Sequence, residues 1–440
     1  YLRRAAATTM KLSALSLGGG LLASGVAAFQ TPFGRRTTSR LALSSASAPF
    51  FAGVDISENA GRDILAMEDW AMNCGVQRAE GFQLTTEDGL DYSVVTTTDL
   101  PAGSPVVFVP NQMILSSFAA AQEFGDNLQA GEQKLADAGL ASQIPLFRLF
   151  IKILVEYENG DQSPYFPWLN SLPRRYNNGA SMTYACFECL PPYAAWLALR
   201  ERSNFVNFQK ALQLVPLSKD TVSDRNVAKW AYNVAATRSI EMNGERLVCP
   251  MADMFNHGTD TEVEISLDEE GNCMVYATRD VPAGSPLRVS LGDPTNPSPL
   301  FATYGFLDES SPATFCKVMH LQKEMQELGY TFSNLLFYKD TGDISPEVWD
   351  VVLYNVLAQD PNLKEGFYQA CISGDEDTKS SYHQQYFAYS LEALRKHVDG
   401  FLKELDSLSA TARTKDVSTH PRVPLILDHN EFVKRTFLKV

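Results

Sequence analysis

The first 54 residues contain no aspartate or glutamate. They carry Arg3, Arg4, Lys11, Arg35, Arg36 and Arg40, a charge of +6; residues 55–440 hold the other 31 basic and all 52 acidic residues, a charge of −21. The net charge of −15 therefore joins two unlike parts. An acidic body lacks the basic surface that meets phosphates, which argues against general nucleic-acid binding. Cysteine is sparse as well. Cys74, Cys186, Cys189, Cys249, Cys273, Cys316 and Cys371 are scattered and odd in number, so no disulfide framework is expected and a reducing compartment fits. Cys186 and Cys189 form a CxxC, but no second one follows at zinc spacing, and the pair reads as core. Five of the six histidines, His320, His383, His397, His420 and His429, lie downstream without metal-ligand spacing, so no metal site is expected. Beyond the N-terminal region no segment reaches about 18 uninterrupted apolar residues, which predicts no stable membrane insertion after processing. With 45% hydrophobic and 20% charged residues, the composition is globular and excludes a disordered or collagen-like chain.

Residues 1–50 read as a targeting presequence. After Met10-Lys11, residues 12–29 are apolar or small, as in a signal-peptide h-region, with cleavage expected after Ala28 (signal segment about 10–28). Residues 29–50 are rich in Ser and Thr, contain Arg and lack acid, a transit-like composition. This tandem, with Ala27-Ala28-Phe29 at the junction, resembles the bipartite presequences of algae with secondary plastids, such as diatoms. The resemblance implies delivery to a plastid stroma; a secreted or endomembrane protein is the alternative.

Further along, residues 62–80 read as a short helix and 92–109 as two strands around the turn Asp99-Leu100-Pro101-Ala102-Gly103. A helical region is expected from 116 to 160, broken near Gly139 and Pro145, with a core stripe of Phe147, Phe150, Ile151, Leu154 and Val155. Pro164, Pro167 and Pro173 make 163–178 an irregular connection ending in Arg174-Arg175-Tyr176-Asn177-Asn178. Helices follow at 193–212 and 221–238. A short apolar strand then enters a polar loop (247–258), and a hairpin spans 262–278. The turn Thr98–Pro105 is echoed by Arg279–Pro286, which predicts similar turn chemistry. Beyond 311 helical periodicity dominates, at 315–328, 345–358, 364–372, 381–404 and 429–436, with an acidic, solvated loop at 373–381.

The segment Asp253-Met254-Phe255-Asn256-His257 is the most informative. On the residues alone, Asn256 is an Asx-turn former and His257 a partner of nearby backbone. The segment nevertheless resembles the asparagine-histidine motif of SET-domain methyltransferases, specifically the group of Rubisco large-subunit and related plastid lysine methyltransferases. Further stretches match in order: Pro167–Pro173, Thr237-Arg238, Tyr276–Gly284 and Leu300–Phe306, the last carrying Tyr304-Gly305-Phe306. The resemblance implies an α+β fold of small, mostly antiparallel sheets over 60–310, with a helical insertion over about 115–235. It also implies an all-helical substrate-binding domain over 311–440. Its implied activity is methyl transfer from S-adenosylmethionine to a lysine side chain of a protein, with a plastid stromal protein as a family-level target. Carried over residue by residue, Tyr304 is catalytic; Asp91, Tyr92, Arg238, Asn256 and His257 bind the cofactor; and Asp253, Tyr276, Leu291 and Phe306 line the substrate channel. Two departures motivate an alternative, a catalytically weak or inactive protein-binding module. Asp91-Tyr92-Ser93 stands where the family has Gly-x-Gly, with Glu80-Gly81-Phe82 as the other candidate, and Leu291 replaces the tyrosine of a Ser-Tyr-Gly. In addition, Gly258 stands where many relatives have a small polar residue. A protein-histidine methyltransferase is a further alternative; its relatives alter the 304–306 segment, whereas this chain keeps the tyrosine.

Overall fold

The computed structural model describes residues 53–440 except 294, 296 and 316–318. The presequence reading for 1–50 and Cys316 lie outside the described residues. Between 64 and 116 the chain is short strands after one helix, Ile64–Asn73, capped by the Asp63 side chain on the Ala66 N–H. A four-stranded antiparallel sheet has the order Gln77–Arg78, Pro105–Val109, Cys273–Ala277, Val263–Leu267. Its Cys273–Ala277 strand alternates buried and half-buried residues, the pattern of a sheet with one face on the core.

The two strands expected over 92–109 are present but do not pair with each other. Ser93–Thr96 pairs with Phe82–Thr85, whereas Pro105–Val109 joins the four-stranded sheet. A three-stranded sheet (Leu115–Ser116, Glu245–Val248, Ile240–Met242) brings both ends of the insertion together. Its hairpin turns at Asn243 and Gly244, both at positive φ (53° and 79°), as a two-residue Asn-Gly hairpin requires.

Within the insertion, helices run Ser117–Phe124, Gln129–Asp137, Ile144–Glu158, Pro192–Leu212 and Arg225–Arg238. Gly139 at φ 75° ends one helix, but Pro145 lies in the first turn of the next and so opens it. The stripe Phe147, Phe150, Ile151 and Leu154 is buried as expected. Phe147 meets Phe208 edge-on at 5.4 Å, locking the Ile144–Glu158 helix to Pro192–Leu212.

The echoed turns pack against each other. Leu100 and Val281 exchange backbone hydrogen bonds of 2.8 Å in both directions. The Asp99 carboxylate accepts from the Ala283 N–H and Asp280 from the Ala102 N–H, each at 2.8 Å. Gly103 and Gly284 both sit at positive φ (79° and 84°) in these turns.

The C-terminal region is helical: Pro346–Val356, Pro361–Ser373, Glu376–Arg413 and Val423–Phe437. Two expectations are corrected here. The helix expected at 315–328 is shortened to Gln322–Glu327, and Ala313–Phe315 pairs as a strand with Leu336–Tyr338. The acidic stretch 373–381 is a break of two residues and then helix. Gly374 ends one helix in the left-handed region (φ 72°), and Asp375 caps the next by accepting from the Thr378 N–H at 3.0 Å. The acids that suggest a solvated loop, Glu376 and Asp377, occupy the first turn, where the helix dipole favours them. The last helix turns back onto the insertion: Asn430 Nδ2 donates to the Cys189 carbonyl (2.8 Å), and Arg422 Nε and Nη2 donate to the Tyr176 carbonyl (3.0 and 2.8 Å). Cys186 and Cys189 are fully buried in this junction as free thiols. No helix among the described residues is long and apolar enough to cross a membrane.

Candidate active site

The insertion's last helix, Arg225–Arg238, is held at its start by Asp224, whose side chain accepts from the Asn226 and Val227 N–H groups. It ends at Arg238, where a cation suits the C-terminal dipole. The loop 249–255 is fixed by Met251, buried and held at φ 73°, a region that costs a non-glycine residue about 1–3 kcal/mol. Arg238 Nη1 donates to the Asp253 carbonyl at 2.8 Å, and Trp168 Nε1 to the Asp253 carboxylate at 2.9 Å. Burial raises the Asp253 carboxyl above its ordinary value, and the Arg238 charge opposes that rise.

These groups border a cavity of about 400 Å³. Asp91, Tyr92, Arg238, Asp253, Asn256, His257, Leu291, Tyr304 and Phe306 all reach it. Among the lining residues not singled out from the sequence are Arg62, Tyr176 and Asn177. Five buried polar atoms on this one cavity have no partner among the described residues: Arg62 Nη2, Tyr176 Oη, Asn177 Oδ1, Arg238 Nε and Asp253 Oδ1. Each such orphan costs about 1–3 kcal/mol if left unsatisfied, so the cavity is built for a polar occupant. Burial lowers the Arg62 guanidinium to about 10 and pushes the Tyr176 hydroxyl up to about 12, so both keep their protons at neutral pH.

A second cavity, of about 800 Å³, adjoins the first. Ser239, Ile240, Leu291 and Tyr304 line both and form the partition. Tyr304 Oη has no hydrogen-bond partner among the described residues, and burial raises its pKa, so it remains a neutral hydroxyl. Its ring lies 6.0 Å from Phe306. Gly305 behind it adopts φ 82°, and a Cβ there would meet the Asn177 carbonyl carbon and the Asn178 nitrogen at 2.5 Å. Tyr304-Gly305-Phe306 is thus threaded against Asn177-Asn178, which explains how the irregular connection comes to face the site.

His257 is placed differently from a ligand-binding imidazole. Its Nδ1 accepts from the Leu291 N–H (3.1 Å), and its Nε2 faces Asp308 Oδ2 at 3.2 Å. With both ring nitrogens engaged, the side chain fixes the partition and leaves mainly backbone for an occupant. Burial, the leading cause, lowers its pKa and keeps it neutral, with the proton assigned to Nε2 by these contacts. Asn256-His257 pairs in parallel with Arg288-Val289, which delivers the chain to Leu291. Asn256 Nδ2 donates to the Tyr92 carbonyl at 3.1 Å, so Tyr92 is bound to the motif through its backbone. The Tyr92 ring lies under the Arg62 guanidinium at 4.8 Å.

Of the two candidate glycine-motif segments, Asp91-Tyr92 borders the cavity, while Gly81 is pressed against Thr98, where a Cβ would meet Oγ1 at 2.3 Å. Gly258 packs under Arg288, whose side chain crosses it to reach Glu262 (Nη2–Oε1 2.7 Å). The substrate-channel set divides. Leu291 is in the partition; Asp253 and Phe306 face the first cavity rather than the second; Tyr276 reaches neither. The Tyr276 hydroxyl bonds Glu264 across its own hairpin (3.0 Å), because its strand alternates and Tyr276 falls on the outer face. Among the described residues no group of His, Cys, Asp and Glu is arranged to hold a metal ion.

No family model matches this sequence, and no curated protein does. Solved structures do match. One described as Rubisco LSMT bound to AdoMet superposes with a TM-score of 0.58 at 15% identity, covering 86% of this chain and 91% of that one. Another, the SET domain of LSMT bound to lysine and AdoHcy, gives 0.57 at 14% identity, covering 86% and 90%. A third, Rubisco LSMT bound to sinefungin and monomethyllysine, gives 0.57 at 15% over the same shares. The chain therefore has the α+β fold of a SET domain followed by a helical C-terminal region.

Proposed function

We propose that this chain is a protein-lysine N-methyltransferase that uses S-adenosylmethionine. The observation that carries the reading is the convergence of five orphaned polar atoms on one cavity whose partition, Tyr304 and Leu291 included, it shares with a second. Two guanidiniums and one carboxylate suit an amino-acid head group, with Arg62 and Arg238 for its carboxylate and Asp253 for its ammonium. Asn177, the Tyr176 hydroxyl and the backbone of Asn256-His257 offer donors and acceptors for a nucleoside. When bound, S-adenosylmethionine supplies an electrophilic methyl carbon on a sulfonium. The chain's own task is to present a neutral amine in line from the second cavity. Ile240, Leu291 and the Tyr304 ring exclude water there, which favours the uncharged amine, and the unpartnered Tyr304 hydroxyl orients its lone pair. The acceptor in this reading is a protein with an exposed lysine, and the 1–50 presequence composition supports a plastid stromal setting for both.

A second reading is a SET-scaffold binding module without turnover. Leu291 favours it, because it brings no hydroxyl to the partition. Calorimetry with S-adenosylmethionine on the full chain tests the proposal. Micromolar binding that weakens in Arg238→Ala supports it, and no binding overturns it. Mass spectrometry of plastid-stroma protein treated with enzyme and labelled cofactor then separates the readings, since the binding module leaves no labelled lysine.

A further inference from the structure

The second cavity carries an acidic side chain that neither the motif resemblance nor the cofactor argument uses. Glu201, on the Pro192–Leu212 helix, lines it. Its Oε2 accepts from the Tyr232 hydroxyl at 3.1 Å, and its Oε1 lies 3.5 Å from Thr303 Oγ1, next to Tyr304 in the chain. Both contacts are to neutral hydroxyls, and no cation among the described residues pairs with this carboxylate. The two arginines on the same cavity are engaged elsewhere: Arg246 pairs with Glu241 at 3.2 Å, and Arg200 lies over the Trp196 ring at 5.2 Å. The Arg246–Glu241 pair is neutral, and Asp293, exposed, adds negative charge at the cavity's edge. A largely desolvated carboxylate with no cation in direct contact, only the fields of Arg200 and Arg246 nearby, gains when a cation enters and pairs with it.

We infer that Glu201 is the recognition residue for the charged end of the incoming side chain, so that the second cavity selects a primary ammonium over an uncharged side chain of the same shape. The inference rests on the methyl-transfer reading of the site and names the group that first draws the lysine side chain into the cavity. Glu201 sits one helix position from Arg200 and faces the residue before Tyr304, so the captured ammonium is held beside the partition. Burial raises the Glu201 pKa, and the neighbouring hydroxyls and Arg200 and Arg246 oppose that rise, so cation capture weakens as acid protonates the carboxylate.

The test is calorimetry on the full chain preloaded with S-adenosylhomocysteine, titrated with Nα-acetyl-lysine amide and with Nα-acetyl-norleucine amide. The wild type is expected to prefer the lysine probe by about tenfold or more, the scale of a hydrogen-bonded charge. Glu201→Gln keeps an acceptor for Tyr232 and should abolish that preference while leaving S-adenosylhomocysteine affinity unchanged. An E201Q protein that still discriminates as the wild type does overturns the inference and leaves the methyl-transfer reading standing. A wild type that binds S-adenosylhomocysteine but neither probe, or that binds no S-adenosylhomocysteine, overturns both. Should E201Q not fold, the wild type alone decides. Preference for the lysine probe must decline on acidification through the raised Glu201 pKa, and a constant preference overturns the inference.

Discussion

His257 lines the first cavity, and its ring is held by the chain itself. The adjacent Asn256-His257 was legible as a site marker, yet the imidazole is satisfied within the chain by Leu291 and Asp308. The ring makes the neighbouring-backbone contact that the residues alone suggest, and the cofactor-binding role expected of His257 stays a proposal for its backbone. Arg238, Asp253 and Tyr304 were legible because each lies within a recognisable stretch. Arg62, Tyr176 and Asn177 were not, since long-range packing alone brings residues 62 and 176–177 to the same cavity, and no local period marks them. Tyr304→Phe removes only the unpartnered hydroxyl. S-adenosylmethionine affinity should stay within about twofold, and turnover should fall about 10²-fold or more, as for loss of a positioned polar group. Steady-state kinetics with calorimetry checks both, and unchanged turnover removes Tyr304 from the catalytic set. Gly305→Ala is a different case. It combines a left-handed backbone with contacts of 2.5 Å to main-chain atoms that cannot rotate away. A loss of about 2–5 kcal/mol in urea unfolding is expected from strain and overpacking together.

At the scale of elements, sequence periodicity located the long helices and the 262–278 hairpin, because amphipathic and alternating patterns act locally. It missed Phe82–Thr85 and Ile240–Met242, which are short and owe their pairing to neighbours distant in sequence, although Asn243-Gly244 was a hairpin signal in plain view. It also took Glu376-Asp377 as loop, since acidity at a helix start and acidity in solvent look alike until the cap at Asp375 is seen. The long helix Glu376–Arg413 carries a prediction of its own. His397 stacks on Phe401 (6.2 Å, 8°), and its Nε2 is buried without a partner among the described residues. Burial, with the His320 ring 5.6 Å away, depresses its pKa from 6.5 to about 4. The folded state therefore binds a proton less readily than the unfolded chain. Between about pH 6.5 and 4 the unfolded state gains that proton first, and stability falls with pH by on the order of 2 kcal/mol. Urea unfolding at pH 7 and pH 5 should show His397→Phe losing less stability on acidification than the wild type. An equal loss in both rejects the assignment.

Over the whole molecule, the order of an α+β region followed by a helical one was legible, and the two regions share side-chain contacts. The final helix returns to the insertion through Asn430, and Arg422 reaches the Tyr176 carbonyl beside the first cavity. The cavity draws on stretches from Arg62 to Phe306, so only the assembled fold presents it. Binding of S-adenosylmethionine should therefore report on folding of the whole chain. At a hundred times its dissociation constant it should stabilise by about 2.7 kcal/mol, seen as a concentration-dependent rise in Tm, and a Tm indifferent to the ligand would contradict the proposal. The two echoed turns carry this coherence further. Asp99 serves Ala283 as Asp280 serves Ala102, so one surface recognises its own likeness across a local twofold. Such an isologous contact is the usual way two separate chains form a dimer. Here the symmetry is closed inside one chain: the Leu100, Ala102, Val281 and Ala283 N–H groups each donate to the opposite turn, so the two turns answer each other as the two halves of a dimer would.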